Sequence, residues 1–295
     1  MDEILGIPMP ALMSQLLIGL INGSFYAMLS LGLAVIFGLL NVINFAHGAL
    51  YMVGAFLAWM GMNYFGINYW VMLLASPLIV GVIGLLIERT MLRWLYKVDH
   101  IYGLLLTLGI TLVVEGVFRA AYGVSGQPYA APDALSGGIN LGFMVLPTYR
   151  AWVVAASLLV CMGTWYVIER TKLGAYLRAG TENPKLVEAF GVNVPVMVTL
   201  TYAFGVALAA FAGVLAAPVI QVSSLMGSSL IITVFAVVVI GGMGSIIGSI
   251  LTGLGLGVIE GLTRVFYPEL SATVVFILMA IVLLVRPSGL FGKEN

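Results

Sequence analysis

The chain has 295 residues, of which 62% are hydrophobic and only 8% charged, against roughly 25% charged residues in an ordinary soluble domain. This excludes a soluble globular domain and points to a polytopic membrane protein. Twelve basic and twelve acidic residues cancel, so no strong field recruits nucleic acid or an anionic partner, and a single Cys161 in an apolar run excludes a disulfide framework or a thiolate metal site.

Roughly 20 apolar residues suffice to cross a bilayer as a helix, because lipid leaves every backbone polar group to be satisfied within the segment. About eight stretches qualify, so the expected fold class is all-α: one transmembrane helical bundle over residues 1–295, with glycine-interrupted segments. The opening MDEILG carries two acids where a cleavable signal peptide carries basic residues, so this end is expected to stay attached. The first segment, 11–40, holds Asn22. It meets the second, 45–64, in FGLLNVINFAHGALYMVG, where Asn41, Asn44, His47 and Gly48 interrupt two apolar runs. Two readings fit. In one, Asn22, Asn41, Asn44, His47 and Gly48 line a translocation path, as polar and unwound segments do inside transporters. In the other, the interruption is a tight turn, with Asn44 capping the next helix and His47 satisfied by a backbone carbonyl. Zinc at His47 is disfavoured, since His100 lies in a different loop and no Cys or carboxylate cluster accompanies either histidine.

Segments 69–87 and 103–122 follow, with Glu88 beside Arg89 at a boundary and Glu115 four residues before Arg119, an order that suits a helical ion pair. Residues 123–150, rich in Gly, Pro and Ser, read as an extracytoplasmic loop that either meets a partner or is an uninvolved surface. After segment 151–168 comes a polar interval, about 169–195, containing RAGTENPKLVEAFGVNVP. Asn183 is an N-cap residue, Pro184 suits the first helical position, KLVEAF supplies about two turns, and Gly191 fits the left-handed position that ends a helix. Such a short helix is marginal in water and needs docking to be ordered, whether on a partner or on the lipid headgroups.

Segment 196–220 leads to the long run 229–262, which contains IGGMGS. It reads as broken at Gly241 and Gly242, entering from outside and returning there, with Gly241, Gly242 and Ser245 joining the path; a straight tilted helix is the alternative. Gly241, Ser245, Ser249, Gly253, Gly257 and Gly261 recur every fourth residue, forming a ridge of small side chains that lets helices approach closely in lipid. A break at Gly242 removes Gly241 from this ridge. Segment 271–286 comes last.

Basic residues prefer the cytoplasmic side. Placing Arg89, Arg93, Lys97, Arg170, Lys172, Arg178, Lys185, Arg286 and Lys293 there leaves Arg119, Arg150 and Arg264 elsewhere. The N-terminus is then outside, and the 169–195 loop and the C-terminus are cytoplasmic. No carboxylate lies plainly at mid-membrane, where a proton- or sodium-coupled carrier keeps one, and no catalytic cluster accompanies the histidines. Both observations disfavour a secondary carrier and a membrane enzyme.

Four blocks, GLINGSFYAMLSLGLAVIFGLLNVINFAHGALYMVGAF, LRAGTENPKLVEAFGVNV, VFAVVVIGGMGSIIGSILTGLGLGVIE and VRPSGLFG, cover essentially the whole chain in this order. They resemble the permease subunits of bacterial branched-chain amino-acid ABC importers, NFAHG from Asn44 to Gly48 being the most diagnostic. The resemblance implies a bacterial inner-membrane protein and a complex with a second homologous permease, as a heterodimer, two ABC ATPase subunits and an extracytoplasmic substrate-binding protein. Leucine, isoleucine and valine are the substrates it implies, by alternating access, although relatives move urea, short amides or other amino acids. It implies no enzyme activity and no cofactor in this chain, ATP and Mg²⁺ being held by the ATPases. In keeping with this, the sequence lacks a Gly-x-x-x-x-Gly-Lys-Ser/Thr loop, its one Gly-Lys pair, Gly292 and Lys293, being followed by Glu294. Finally, it casts Asn183, Pro184, Lys185, Val187, Glu188, Ala189, Phe190 and Gly191 as the helix that docks on an ATPase. The signature of such helices begins Glu-Ala-Ala; here Phe190 follows Glu188 and Ala189, and the glycine comes early.

Overall fold

A computed structural model of the protein describes residues 3–4, 7–40, 43–96 and 98–292. Asn41, Lys97 and Lys293, all named above, lie outside the described residues. The helices are α1 (Met9–Leu40), α2 (Ala46–Phe65), α3 (Tyr69–Ile87), α4 (His100–Tyr122), α5 (Thr148–Arg170), α6 (Lys172–Glu182), α7 (Pro184–Ala189), α8 (Val194–Ile220), α9 (Met226–Gly241), α10 (Ile246–Phe266) and α11 (Val274–Val285). The chain of α3 runs on through a π-helical turn, Glu88–Leu92, to Leu95. The fold is all-α apart from two short antiparallel strand pairs, Glu3–Ile4 with Ile7–Pro8 and Gly138–Asn140 with Val145–Pro147.

Side-chain caps set where several of these helices start. Asn68 accepts from Val71 N at 3.0 Å, Asp99 from Ile101 N at 2.9 Å, Asn193 from Val196 N at 3.1 Å and Ser245 from Gly248 N at 3.1 Å, each satisfying an amide that the helix leaves unpaired. The long 229–262 run breaks where the sequence reading placed it. Gly242 adopts φ +97°, which L side chains rarely reach, and the chain turns back through Ser245 into α10.

Among the described residues, six helices are long and apolar enough to cross a membrane: α1, α3, α4, α5, α8 and α10, with α9 and α11 shorter but apolar. Although α2 has 20 residues, it is not among the six. Its first eleven residues, Ala46 to Phe56, are all buried against protein, so α2 does not need the apolar surface that lipid demands. With α1 and α8 it forms the centre, while α3, α4 and α5 turn Leu74, Leu78, Leu105, Leu112 and Leu159 outward, as lipid-facing helices do.

The small-residue ridge of α10 lies antiparallel along α1. A Cβ on Gly257 would stand 2.3 Å from Gly23 Cα, one on Gly253 2.5 Å from Ala27 N, and one on Gly261 2.5 Å from Gln15 O. Ser30 Oγ reaches Ser249 O at 3.4 Å. Lipid is as apolar as the helices, so close backbone packing of this kind, not hydrophobic burial, holds such a pair together.

The two ends of the bundle differ. At the hairpin end, residues 123–147 hold the 138–147 hairpin and a 3₁₀ turn at Asp133–Leu135, and an antiparallel bridge pairs Gln127 with Val222, just beyond α8. Tyr149 there donates to Leu215 O at 3.0 Å, within an aromatic cluster of Tyr69, Trp70, Tyr129 and Trp152. Burial, with the nearby Tyr69, pushes the Tyr129 phenol up to about 12. The opposite, basic end gathers the last turns of α1, the π-helical turn, α6, α7, the α9–α10 break and the C-terminal residues up to Gly292. At that end a Cβ on Gly38 would meet Gly244 Cα at 2.5 Å, and one on Gly242 would meet Gly292 N at 2.4 Å.

Candidate translocation and coupling sites

The polar interval folds as two helices. α6 was not foreseen; it is amphipathic, and Gly174 seats it against α5, where a Cβ would overlap Ile168 O. Arg178 Nη1 donates to Ile168 O at 2.8 Å and lies 3.5 Å from Glu169, which fixes the elbow.

α7 follows with the expected signals in place. Asn183 Oδ1 accepts from Leu186 N at 3.1 Å, Pro184 opens the helix, and Gly191 closes it at φ +83°, its N–H donating to Glu188 O at 2.9 Å. The helix rests on Val187, which is only 7% exposed, while Leu186 is 54% and Phe190 80% exposed. Lys185, Glu188 and Ala189 are also exposed. The helix and its C-cap Phe190 thus leave two large apolar side chains uncovered by their own protein.

Beside α7 runs a groove of about 910 Å³, bounded on one side by Arg89, Arg93 and Trp94 and on the other by Lys185, Glu188 and Pro195. At its floor Glu88 is 1% exposed. Its carboxylate accepts from Thr199 Oγ1 at 2.6 Å and from Tyr96 Oη at 3.1 Å. Burial, then the neighbouring Glu88 charge, pushes the Tyr96 phenol well above its ordinary range, which keeps it a donor. Glu88 therefore clasps the end of α3 to the first turns of α8, which begins three residues after Gly191. The sequence shows Glu88 at a boundary, but a partner on a distant helix left no local signal.

The first interruption is buried. Thr107 of α4 pins it, accepting from Phe45 N at 3.2 Å and donating to Ile43 O at 3.3 Å. Phe45 stacks on Phe235 of α9 with ring centroids 5.0 Å apart. Asn44 and His47 are fully buried; Asn44 does not cap α2, which has no side-chain cap. His47 Nε2 donates to Leu29 O at 3.0 Å, and Gly48 packs against Gly227 O. Tyr202 of α8, which sequence reading missed, adjoins the Asn44 amide.

The other path candidates are placed differently. Asn22 is half-buried on α1, one turn before Tyr26, whose hydroxyl donates to Glu260 Oε2 at 2.8 Å; Arg264 pairs with the same carboxylate. Gly241 packs on the Gly248 backbone, Gly242 on Gly292, and Ser245 caps α10. These three meet at the basic end beside Gly38, away from Asn44 and His47. Ser249, Gly253, Gly257 and Gly261 all face α1. Glu115 interacts electrostatically with Arg119, as its spacing suggested, and its carboxylate also accepts a hydrogen bond from Ser228 of α9. Among the described residues no group of three or more His, Cys, Asp or Glu side chains is placed to hold a metal.

Residues 15–283 match the model of a family described as branched-chain amino acid transport system / permease component. The chain is 31% identical to the high-affinity branched-chain amino acid transport system permease protein BraD of Pseudomonas aeruginosa, over 96% of each chain. It is 28% identical to the permease protein LivH of Escherichia coli, again over 96% of each. With the permease protein LivM of Escherichia coli it shares 28% identity over 90% of this chain and 67% of that one. No solved structure matches the chain.

Proposed function

The chain belongs to the family of branched-chain amino acid transport system permease components, and from that membership we propose that it is the membrane subunit of an ABC importer for leucine, isoleucine or valine. It works beside a second, homologous permease, with two ATPase subunits that bind ATP and Mg²⁺ and an extracytoplasmic protein that delivers substrate. Similarity to both LivH and LivM supports pairing with a different permease. The basic end faces the cytoplasm of a bacterial inner membrane, a reading the Lys and Arg distribution supports, and the hairpin end meets the binding protein.

One observation carries the coupling role: α7 is fixed through Val187 and offers Leu186 and Phe190 to a partner. An ATPase that grips this face and closes on ATP displaces α7. The displacement passes through Gly191 into α8, whose start is fixed by the Asn193 cap. From α8 it reaches α3 through the Thr199–Glu88 hydrogen bond. It reaches α1 where a Cβ on Gly32 would lie 2.6 Å from Gly205 O. Rigid shifts of helices packed this closely are how such proteins open to one side and then the other.

Co-purification of the ATPase subunits with wild type and with Phe190→Asp tests the docking face. A charge placed where an apolar anchor is desolvated should lower recovery of the ATPases at least about tenfold, with the thermal unfolding of the chain unchanged because Phe190 is exposed. Equal recovery by the two proteins would place the ATPase contact elsewhere.

A further inference from the structure

Where α2 begins, the protein buries more hydrogen-bonding capacity than it uses. Asn44, His47 and Tyr202 are wholly buried, and so is Tyr51, one turn beyond His47. Among the described residues, His47 Nδ1 and the Tyr51 hydroxyl have no hydrogen-bond partner, and the Asn44 amide and Tyr202 hydroxyl adjoin one another without forming a well-aligned hydrogen bond. The carbonyl of Leu29 holds the proton on His47 Nε2, so Nδ1 of the neutral ring is an acceptor. The uncapped first turn of the 20-residue α2 lies in the same place, directing the positive end of its dipole into surroundings of low dielectric. Gly32 makes the junction possible, since a Cβ there would lie 2.6 Å from Gly205 O and 2.9 Å from His47 Cε1.

Polar groups buried without partners are destabilising, and a sequence able to place an apolar residue at each of these positions keeps them polar. Sites that break a folding rule without local compensation are where function is expected. We propose that this cluster is a transient binding site for an α-amino-acid zwitterion on its way through the bundle. The Asn44 Nδ2, the Tyr202 hydroxyl and the α2 N-terminus receive the carboxylate; His47 Nδ1 and Asn44 Oδ1 receive the ammonium group. The assignment rests on the transport reading above and adds to it the groups that recognise the backbone of the substrate. Interrupted transmembrane helices offer their N-termini to carboxylates in this way as a general consequence of the dipole. The paired acceptors distinguish an amino acid from a simple carboxylate, and the adjoining Phe45–Phe235 stack and Ile231 offer apolar surface to an aliphatic side chain. Because the cluster is closed to solvent, substrate reaches it when α8 shifts against α1, a movement that the isolated chain samples thermally and that the route from α7 drives.

The test uses the purified full chain in detergent and the reconstituted complex. Thermal unfolding is followed with millimolar leucine, with leucine methyl ester, which lacks the carboxylate, and with 4-methylpentanoate, which lacks the ammonium group. Leucine should raise the unfolding temperature and the two analogues should not. Tyr202→Phe, which removes a single oxygen, and Asn44→Leu should each unfold at a higher temperature than wild type without ligand, lose the leucine shift, and slow ATP-driven uptake about tenfold, as for a lost hydrogen bond to a charged group. If Asn44→Leu fails to fold, Tyr202→Phe alone decides. Equal shifts from all three compounds, no shift from leucine, or variants that keep the leucine shift would overturn the proposal. Variants that unfold earlier and still respond to leucine would show a structural cluster, which also overturns it. If wild-type uptake depends on ATP and both variants match it, the cluster proposal fails and the transport reading stands; if wild-type uptake ignores ATP, the transport reading itself fails.

Discussion

Gly255 and Gly257 sit two residues apart on α10 and face different surroundings. Around Gly255 a Cβ would find open space, whereas at Gly257 it would lie 2.4 Å from Gly19 O and 2.3 Å from Gly23 Cα. Backbone cannot yield as a side-chain tip can, so Gly257→Leu should destabilise the chain by about 3 kcal/mol or more. Gly255→Ala should stabilise α10 by up to about 1 kcal/mol. Denaturant unfolding in detergent micelles measures both, and a Gly257→Leu protein as stable as wild type would refute the α1–α10 contact. The four-residue spacing of this ridge was legible in the sequence because helical geometry alone fixes it. Its partners, Gly19, Gly23 and Ala27, were not, because nothing local says which helix will lie opposite. The same limit applies to Glu115, where i,i+4 spacing announced Arg119 but nothing local announced the hydrogen bond from Ser228 of α9.

At the scale of elements, the segments announced by apolar runs or by caps were legible, including the break at Gly242 and the two-turn α7. Missed were α6, a short helix that opens on Lys172 and whose few large apolar residues end at Leu177 before Arg178, and the 138–147 hairpin, where Asn140 Oδ1 accepts from Gly142 N at 2.9 Å. The continuation of α3 past Glu88 was also missed, because a charged pair at the end of an apolar run reads as a boundary. That continuation carries the clasp between α3 and α8, and so yields a prediction of its own. In Glu88→Gln one of the two acceptor oxygens becomes an amide nitrogen, leaving either Thr199 or Tyr96 without its acceptor and costing about 1–3 kcal/mol. In the assembled complex, uptake per ATP hydrolysed should fall several-fold while ATP hydrolysis continues, because α7 still docks but α3 no longer follows α8. An unchanged transport-to-hydrolysis ratio would remove the clasp from the coupling route.

For the whole molecule, the distribution of hydrophobicity inverts a simple expectation. The central α2 is not among the six helices apolar enough to cross a membrane and its first half is enclosed by protein, while α3, α4 and α5 turn leucine and valine outward. Hydropathy thus delimited the bundle, and the polar interruption at Asn44 to Gly48 offered an interior position as one of two readings, but nothing local named its neighbours Leu29 and Tyr202. A route from α7 through α8 to that centre joins the two regions that sequence reading singled out separately, and the account stands or falls on whether ATP hydrolysis acts through it. The most direct measurement is uptake of labelled leucine into proteoliposomes containing the chain with its partner permease, ATPases and binding protein, comparing wild type with Glu188→Arg combined with Phe190→Asp. Both side chains are exposed, so the double variant should fold and insert as wild type does. The account predicts uptake that requires ATP in wild type and is abolished in the variant; uptake by the chain alone, indifferent to ATP and to the substitutions, would contradict it.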